Sequence, residues 1–143
     1  YMAININIVN FPVVSIVFPE ETPNENELDL FLNELLNMAS EEKPITIIFF
    51  IDKVNKVPIR YRKRVIEFHN QLLLKGNCLT KCIIVLKSKV IKNFIRCILN
   101  VVKPLCITYV LNKNNTNMEI DIKNILTSND SELSKNVVIF KKK

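Results

Sequence analysis

Asp52 and Ser88 are the residues best placed for chemistry, because each follows an apolar run that reads as a strand. Open α/β sheets collect ligands at the carboxyl ends of their strands. There a carboxylate could hold a cation or a partner's arginine, and a small-molecule site could form between the two side chains. Asp and Ser also serve structurally at such points, Asp in the turn after a strand and Ser as a helix N-cap. The chain contains one histidine, His69, and one glycine, Gly76. A single histidine cannot supply a His-pair metal site, and a single glycine excludes the GxGxxG and P-loop fingerprints, which need close backbone approach to phosphate. No G-x-S-x-G elbow occurs. Cys78, Cys82, Cys97 and Cys106 form no CxxC pair, and they read as thiols buried as small apolar residues. These residues point to no catalytic group, no metal and no cofactor, and the chain reads as a non-enzyme.

The positive signal is basic. Arg60, Arg62, Lys63 and Arg64 open one amphipathic segment, while Lys89, Lys92, Arg96 and Lys103 recur at intervals of three, four and seven along another. The second set predicts one exposed stripe opposite an apolar face. The first sits at a helix N-terminus, where cations oppose the dipole and an anion is stabilising. A net charge of +6 and a pI near 9.2 are compatible with phosphates or anionic membranes, and equally with a solvated basic face. Phe49 and Phe50 fall in an apolar strand, not on the open aromatic platform of an RNA-binding sheet, so nucleic acid is not the expected partner.

Two runs apolar on both faces, 45–51 and 81–86, predict strands in the middle of a parallel sheet. Alternation over 4–8 followed by 13–18 predicts an antiparallel hairpin with its first strand at an edge. Thr22-Pro23-Asn24-Glu25 reads as an N-cap, a first-turn proline and a capping glutamate, starting a helix with Leu28, Phe31, Leu32, Leu35, Leu36 and Ala39 inward. Pro58 opens a second helix, ended by Gly76 as an αL terminator. Ser88 caps a third, with Val90, Ile91, Phe94, Ile95, Ile98, Leu99 and Val102 inward, and Pro104 ends it. A strand at 106–110 follows, then a second capping box, Thr116-Asn117-Met118-Glu119, opening a helix through Leu126.

With 143 residues, 48% hydrophobic and 24% charged, the chain suits one globular domain with its own core. The expected domain covers residues 2–126. A polar C-terminal extension, 127–143, carries a short strand at 137–140 and a basic end, Lys141-Lys142-Lys143. No apolar run reaches the about 18 residues that span a bilayer, and the first residues do not read as a secretory signal. The cytoplasm is the expected compartment, with the nucleus open.

The order β-β-α-β-α-β-α-β-α, the strand ending in Asp52, the basic segment Pro58-Ile59-Arg60-Tyr61-Arg62-Lys63-Arg64 and the run from Val90-Ile91-Lys92-Asn93-Phe94 to Val101-Val102-Lys103-Pro104-Leu105 resemble the STAS and SpoIIAA-like superfamily. That fold is shared with the lipid-binding lobe of CRAL-TRIO, Sec14-like, domains. The resemblance implies an α/β fold with a single mixed, mostly parallel sheet, an N-terminal β-hairpin and helices packed on it. Asp52-Lys53-Val54-Asn55 lacks the phosphorylatable Asp-x-Ser of the anti-sigma-factor antagonists, so no phosphoswitch is expected. The chain has no room for the gate helix of a full CRAL-TRIO domain, so shallow headgroup contact is expected instead of a deep lipid cavity. The expectation for function is a non-catalytic binding or assembly module acting through protein contacts. Peripheral binding of acidic phospholipid headgroups by the basic helix face is the first alternative, and a small-molecule enzyme near Asp52 and Ser88 the second.

Overall fold

The computed structural model describes residues 4–41 and 43–141. The expected start at residues 2–3 and the last two lysines of the basic end lie outside the described residues. Eleven segments follow one another: β1 (Asn5–Asn7), β2 (Val13–Val17), α1 (Glu25–Ala39), β3 (Ile45–Phe50), α2 (Arg60–Lys75), β4 (Leu79–Leu86), α3 (Lys89–Val101), β5 (Ile107–Asn112), α4 (Met118–Leu126), a 3-10 turn (Asp130–Glu132) and β6 (Val138–Phe140). The sheet keeps chain order, β1-β2-β3-β4-β5-β6. β2 through β5 run parallel, and the two edge strands are antiparallel to their neighbours. The fold is α/β, one mixed and mostly parallel sheet that begins with a β-hairpin.

Adjacent parallel strands joined by crossovers of one hand lay the connecting helices on one face. Accordingly Ile45, Ile47 and Phe49 of β3 pack with α1 and α2, and Phe94 of α3 joins the same cluster. The alternate residues Ile48 and Phe50 turn the other way, into a second cluster with Ile83, Tyr109 and Ile125 under α4. This period of two is why the central strands must be apolar on both faces. Three helices cover one face, and α4 with residues 130–137 covers the other.

Local signals were realised with shifts that have physical reasons. The cap of α1 is Asn24, whose side chain accepts from the Glu27 backbone N–H while Glu27 accepts from the Asn24 N–H. Thr22, the expected cap, instead donates its hydroxyl to the Lys56 carbonyl and ties two loops together. The second expected capping box does not form either: α4 begins after Asn117, with no side-chain cap bond. Gly76 ends α2 with φ 105° and ψ 109°, a positive φ but outside αL geometry. Ser88 caps α3 as expected, accepting from the Val90 N–H. α3 stops at Val101, with Val102 already extended, before Pro104 is reached.

Candidate functional site: an apolar cavity under the helix layer

Between the three-helix layer and the sheet lies a cavity of about 240 Å³. Its floor is the helix-facing side of β3, β4 and β5, including Ile47, Phe49, Cys82, Ile84 and Thr108. Its roof combines Phe31 and Leu35 of α1, Val65 and His69 of α2, and Phe94 and Ile98 of α3. The lining is almost entirely carbon. Such cavities stay dry, and one of about 150 Å³ already takes benzene. The space here holds more than that and less than a complete drug-sized ligand, whose pockets run from roughly 300 Å³. The expectation set aside a deep lipid cavity; the space found is apolar and of this smaller size. The room comes from the floor opposite α3: Cys82, Cys106 and Thr108 are short side chains where the strands beside them carry isoleucine and phenylalanine.

The roof has a seam. On α2, Arg60 and Arg64 pair with Glu25 of α1, and Arg64 also with Asp29, so that flank is closed against α1. The opposite flank presents Arg62, Ile66, His69 and Leu73, spaced as one helical row. On α3, Lys92, Ile95 and Arg96 border Val110, Val138 and Phe140 of β5 and β6, so that flank lies over the sheet edge. Its other flank, Val90, Phe94, Cys97 and Val101, therefore faces α2 with the same spacing. Leu73, Val90 and Val101 are exposed, and His69 and Phe94, which line the cavity, are half-buried. The two rows border an apolar seam above the cavity.

His69 and Tyr61 are the α2 side chains in the cavity wall that can titrate. Burial lowers the pKa of His69, partly offset by its contact with the Val65 carbonyl. Tyr61 is buried in the cavity wall and donates its hydroxyl to the Pro23 carbonyl, which holds α2 to the loop before α1. Burial also pushes the Cys82 thiol up, with Cys106 adding to the shift, so a reactive thiolate is not formed there.

The basic residues separate into groups. Arg60 and Arg64 are engaged by α1 acids, which corrects their reading as an open anion site. Arg62 and Lys63 are exposed. Lys89, Lys92 and Arg96 lie on α3, Lys92 half-buried, whereas Lys103 follows the end of the helix and sits off the stripe. Val90 and Cys97, expected inward, are exposed because they stand on the seam flank and not under the helix. Asp52 is half-buried at the end of β3, and Ser88 is spent on its cap. Among the described residues no cluster of three or more His, Cys, Asp or Glu side chains has a metal-binding arrangement, and no helix is long and apolar enough to cross a membrane.

One polar constellation was missed from the sequence. Asp121 in α4 is buried and accepts from the Ser134 N–H and hydroxyl, at 3.0 and 2.6 Å, and from the Asn115 amide at 3.1 Å. Tyr109 donates to Asp130 at 2.7 Å, and Lys81 donates to the Ile125 carbonyl and Ser128 hydroxyl at the end of α4. Together these fasten residues 127–140 to the second face. A signal existed: Met118, Asp121, Ile122 and Ile125 share helical spacing, which places an aspartate inside an apolar stripe. Searches for similarity return no matching protein-family model, no matching curated protein and no matching solved structure for this chain.

Proposed function

We propose that this chain is a non-catalytic binding module whose ligand is an acidic lipid, held by its apolar tail in the cavity under α1, α2 and α3. The observation that carries the reading is the cavity: about 240 Å³ of carbon-lined space whose roof parts along an apolar seam. A stretch of acyl chain suits such a space, because burying each methylene contributes about 0.8 kcal/mol and no polar group in the ligand tail is left unpaired. The anionic head is favoured by the excess of lysine and arginine. The STAS-like order of elements, shared with a lipid-binding lobe, supports the same class. Protein contacts, the broader reading of such a module, find their best surface in the same seam.

The test is titration with a fluorescent fatty acid below its micelle threshold. Wild type should bind saturably, and the cavity-filling variant Cys82→Leu should not. An acidic lysophospholipid should displace the probe better than a choline-headed one. Absence of saturable binding would remove the lipid reading, and equal displacement by both heads would remove its acidic part.

A further inference from the structure

The loops at the carboxyl ends of β3, β4 and β5 form one edge of the molecule. Lys53 and Lys56 lie in the β3–α2 loop, Arg62 and Lys63 in the first turn of α2, and Lys87 and Lys89 on either side of Ser88. All six are exposed. Lys113 joins them, its backbone N–H donating to the Leu86 carbonyl and so fixing it beside the end of β4. The acids on this edge are Asp52, half-buried, Glu119 in the first turn of α4, and Glu25 in the first turn of α1, which is paired with Arg60. Glu20 and Glu21 are exposed in the loop after β2, just before Thr22, which bonds the Lys56 carbonyl of the basic loop. Two large aliphatic side chains project from the same basic ground: Ile59, 76% exposed, and Val90, 61% exposed. Each stands where its helix begins, Ile59 at the cap of α2 and Val90 at the start of the seam flank of α3. A cationic rim around projecting aliphatics is the composition that binds anionic bilayers, through lipid phosphates outside and shallow apolar insertion inside. The cavity reaches this edge as well, since Ile51, Val54 and Ile91 belong to its wall.

We propose that this edge is the face by which the protein docks on an anionic bilayer, with Ile59 and Val90 entering the headgroup region and the surrounding lysines and arginines meeting lipid phosphates. The inference rests on the lipid reading of the cavity and adds the surface and orientation through which lipid is met. The alternative apolar surface is at the opposite edge, where Leu73 and Leu74 end α2 and are also exposed. That edge has cations of its own, Lys43, Lys75, Lys103 and Lys141, fewer than the seven around Ile59 and Val90.

The experiment is cosedimentation of the full chain with vesicles of phosphatidylcholine alone and with phosphatidylserine added, alongside the fatty-acid titration in vesicle-free buffer. Wild type should bind only the anionic vesicles, and less as salt rises. Ile59→Ser with Val90→Ser should reduce vesicle partitioning about tenfold, and Lys87→Gln with Lys89→Gln should reduce it about fivefold per charge removed. Both variants should keep wild-type far-ultraviolet circular dichroism, and Lys87→Gln with Lys89→Gln, like Ile59→Ser alone, should bind the soluble fatty acid unchanged because none of these residues borders the seam. Loss of vesicle binding in Leu73→Ser with Leu74→Ser but not in Ile59→Ser with Val90→Ser would overturn the proposal. So would wild type that ignores anionic vesicles, or binds both compositions equally. Vesicle binding that survives while fatty-acid binding fails would sustain the docking face and remove the cavity reading instead.

Discussion

Single residues decide how the two faces of the sheet are held. Asp121 satisfies three donors from Ser134 and Asn115 inside the second face. Asp121→Ala should leave those donors without an acceptor at about 1–3 kcal/mol each, discounted where one reaches water. Urea unfolding should therefore show a loss of about 3 kcal/mol or more, and hydrogen exchange should rise first in residues 127–140. His69 carries the pH dependence of the other face. Burial holds its pKa below the ordinary value near 6.5, so the folded state binds fewer protons than the unfolded one in that window. The neutral imidazole's share of stability is complete above about pH 6.5 and falls as pH drops toward its lowered pKa. His69→Leu should flatten the urea midpoint between about pH 6.5 and pH 5, where most carboxylates remain ionised. A slope unchanged from wild type would place the titration elsewhere. Gly76 adds a backbone prediction: a Cβ would meet no atom within 4 Å, so the cost of Gly76→Ala is conformational, about 1–3 kcal/mol from φ 105° alone.

At the scale of elements, much was legible from sequence and the misses share a cause. Runs 45–51 and 81–86 read correctly as inner parallel strands because both of their faces are apolar, a property that neighbours do not change. The α1 cap was shifted because Thr22-Pro23-Asn24-Glu25 and Asn24 with Glu27 each satisfy a capping pattern. Only the contact of Thr22 with Lys56, 34 residues away, decides between them. Arg60 and Arg64 were read as an anion site for the same reason, since their carboxylates sit on α1, about 35 positions earlier in the chain. These ion pairs are partly exposed and so stabilise weakly. Their consequence is electrostatic, because they neutralise two of the four cations opening α2. Vesicle binding should then fall less in Arg60→Gln with Arg64→Gln than in Arg62→Gln with Lys63→Gln. The cavity was not legible at all. Its volume depends on which floor residues meet which roof residues, and Cys82, Cys106 and Thr108 become a gap only once α3 lies over them.

For the whole molecule, the central claim is that the space between the helix layer and the sheet is a ligand site and not a packing fault. Filling it from the floor with Cys82→Leu should raise stability by about 0.5–2 kcal/mol, as cavity-filling changes commonly do, while removing binding. Stability gained without loss of binding would mean that the ligand sits elsewhere. The most direct measurement is isoleucine-methyl NMR of the full chain during titration with an acidic lysophospholipid below its micelle threshold. Ile47, Ile84, Ile91 and Ile98 line the cavity, whereas Ile83, Ile122 and Ile125 pack in the cluster on the opposite face. The account predicts saturable shifts in the first four methyls and none of comparable size in the other three. Shifts confined to the second group, or no saturable shift in either, would contradict it.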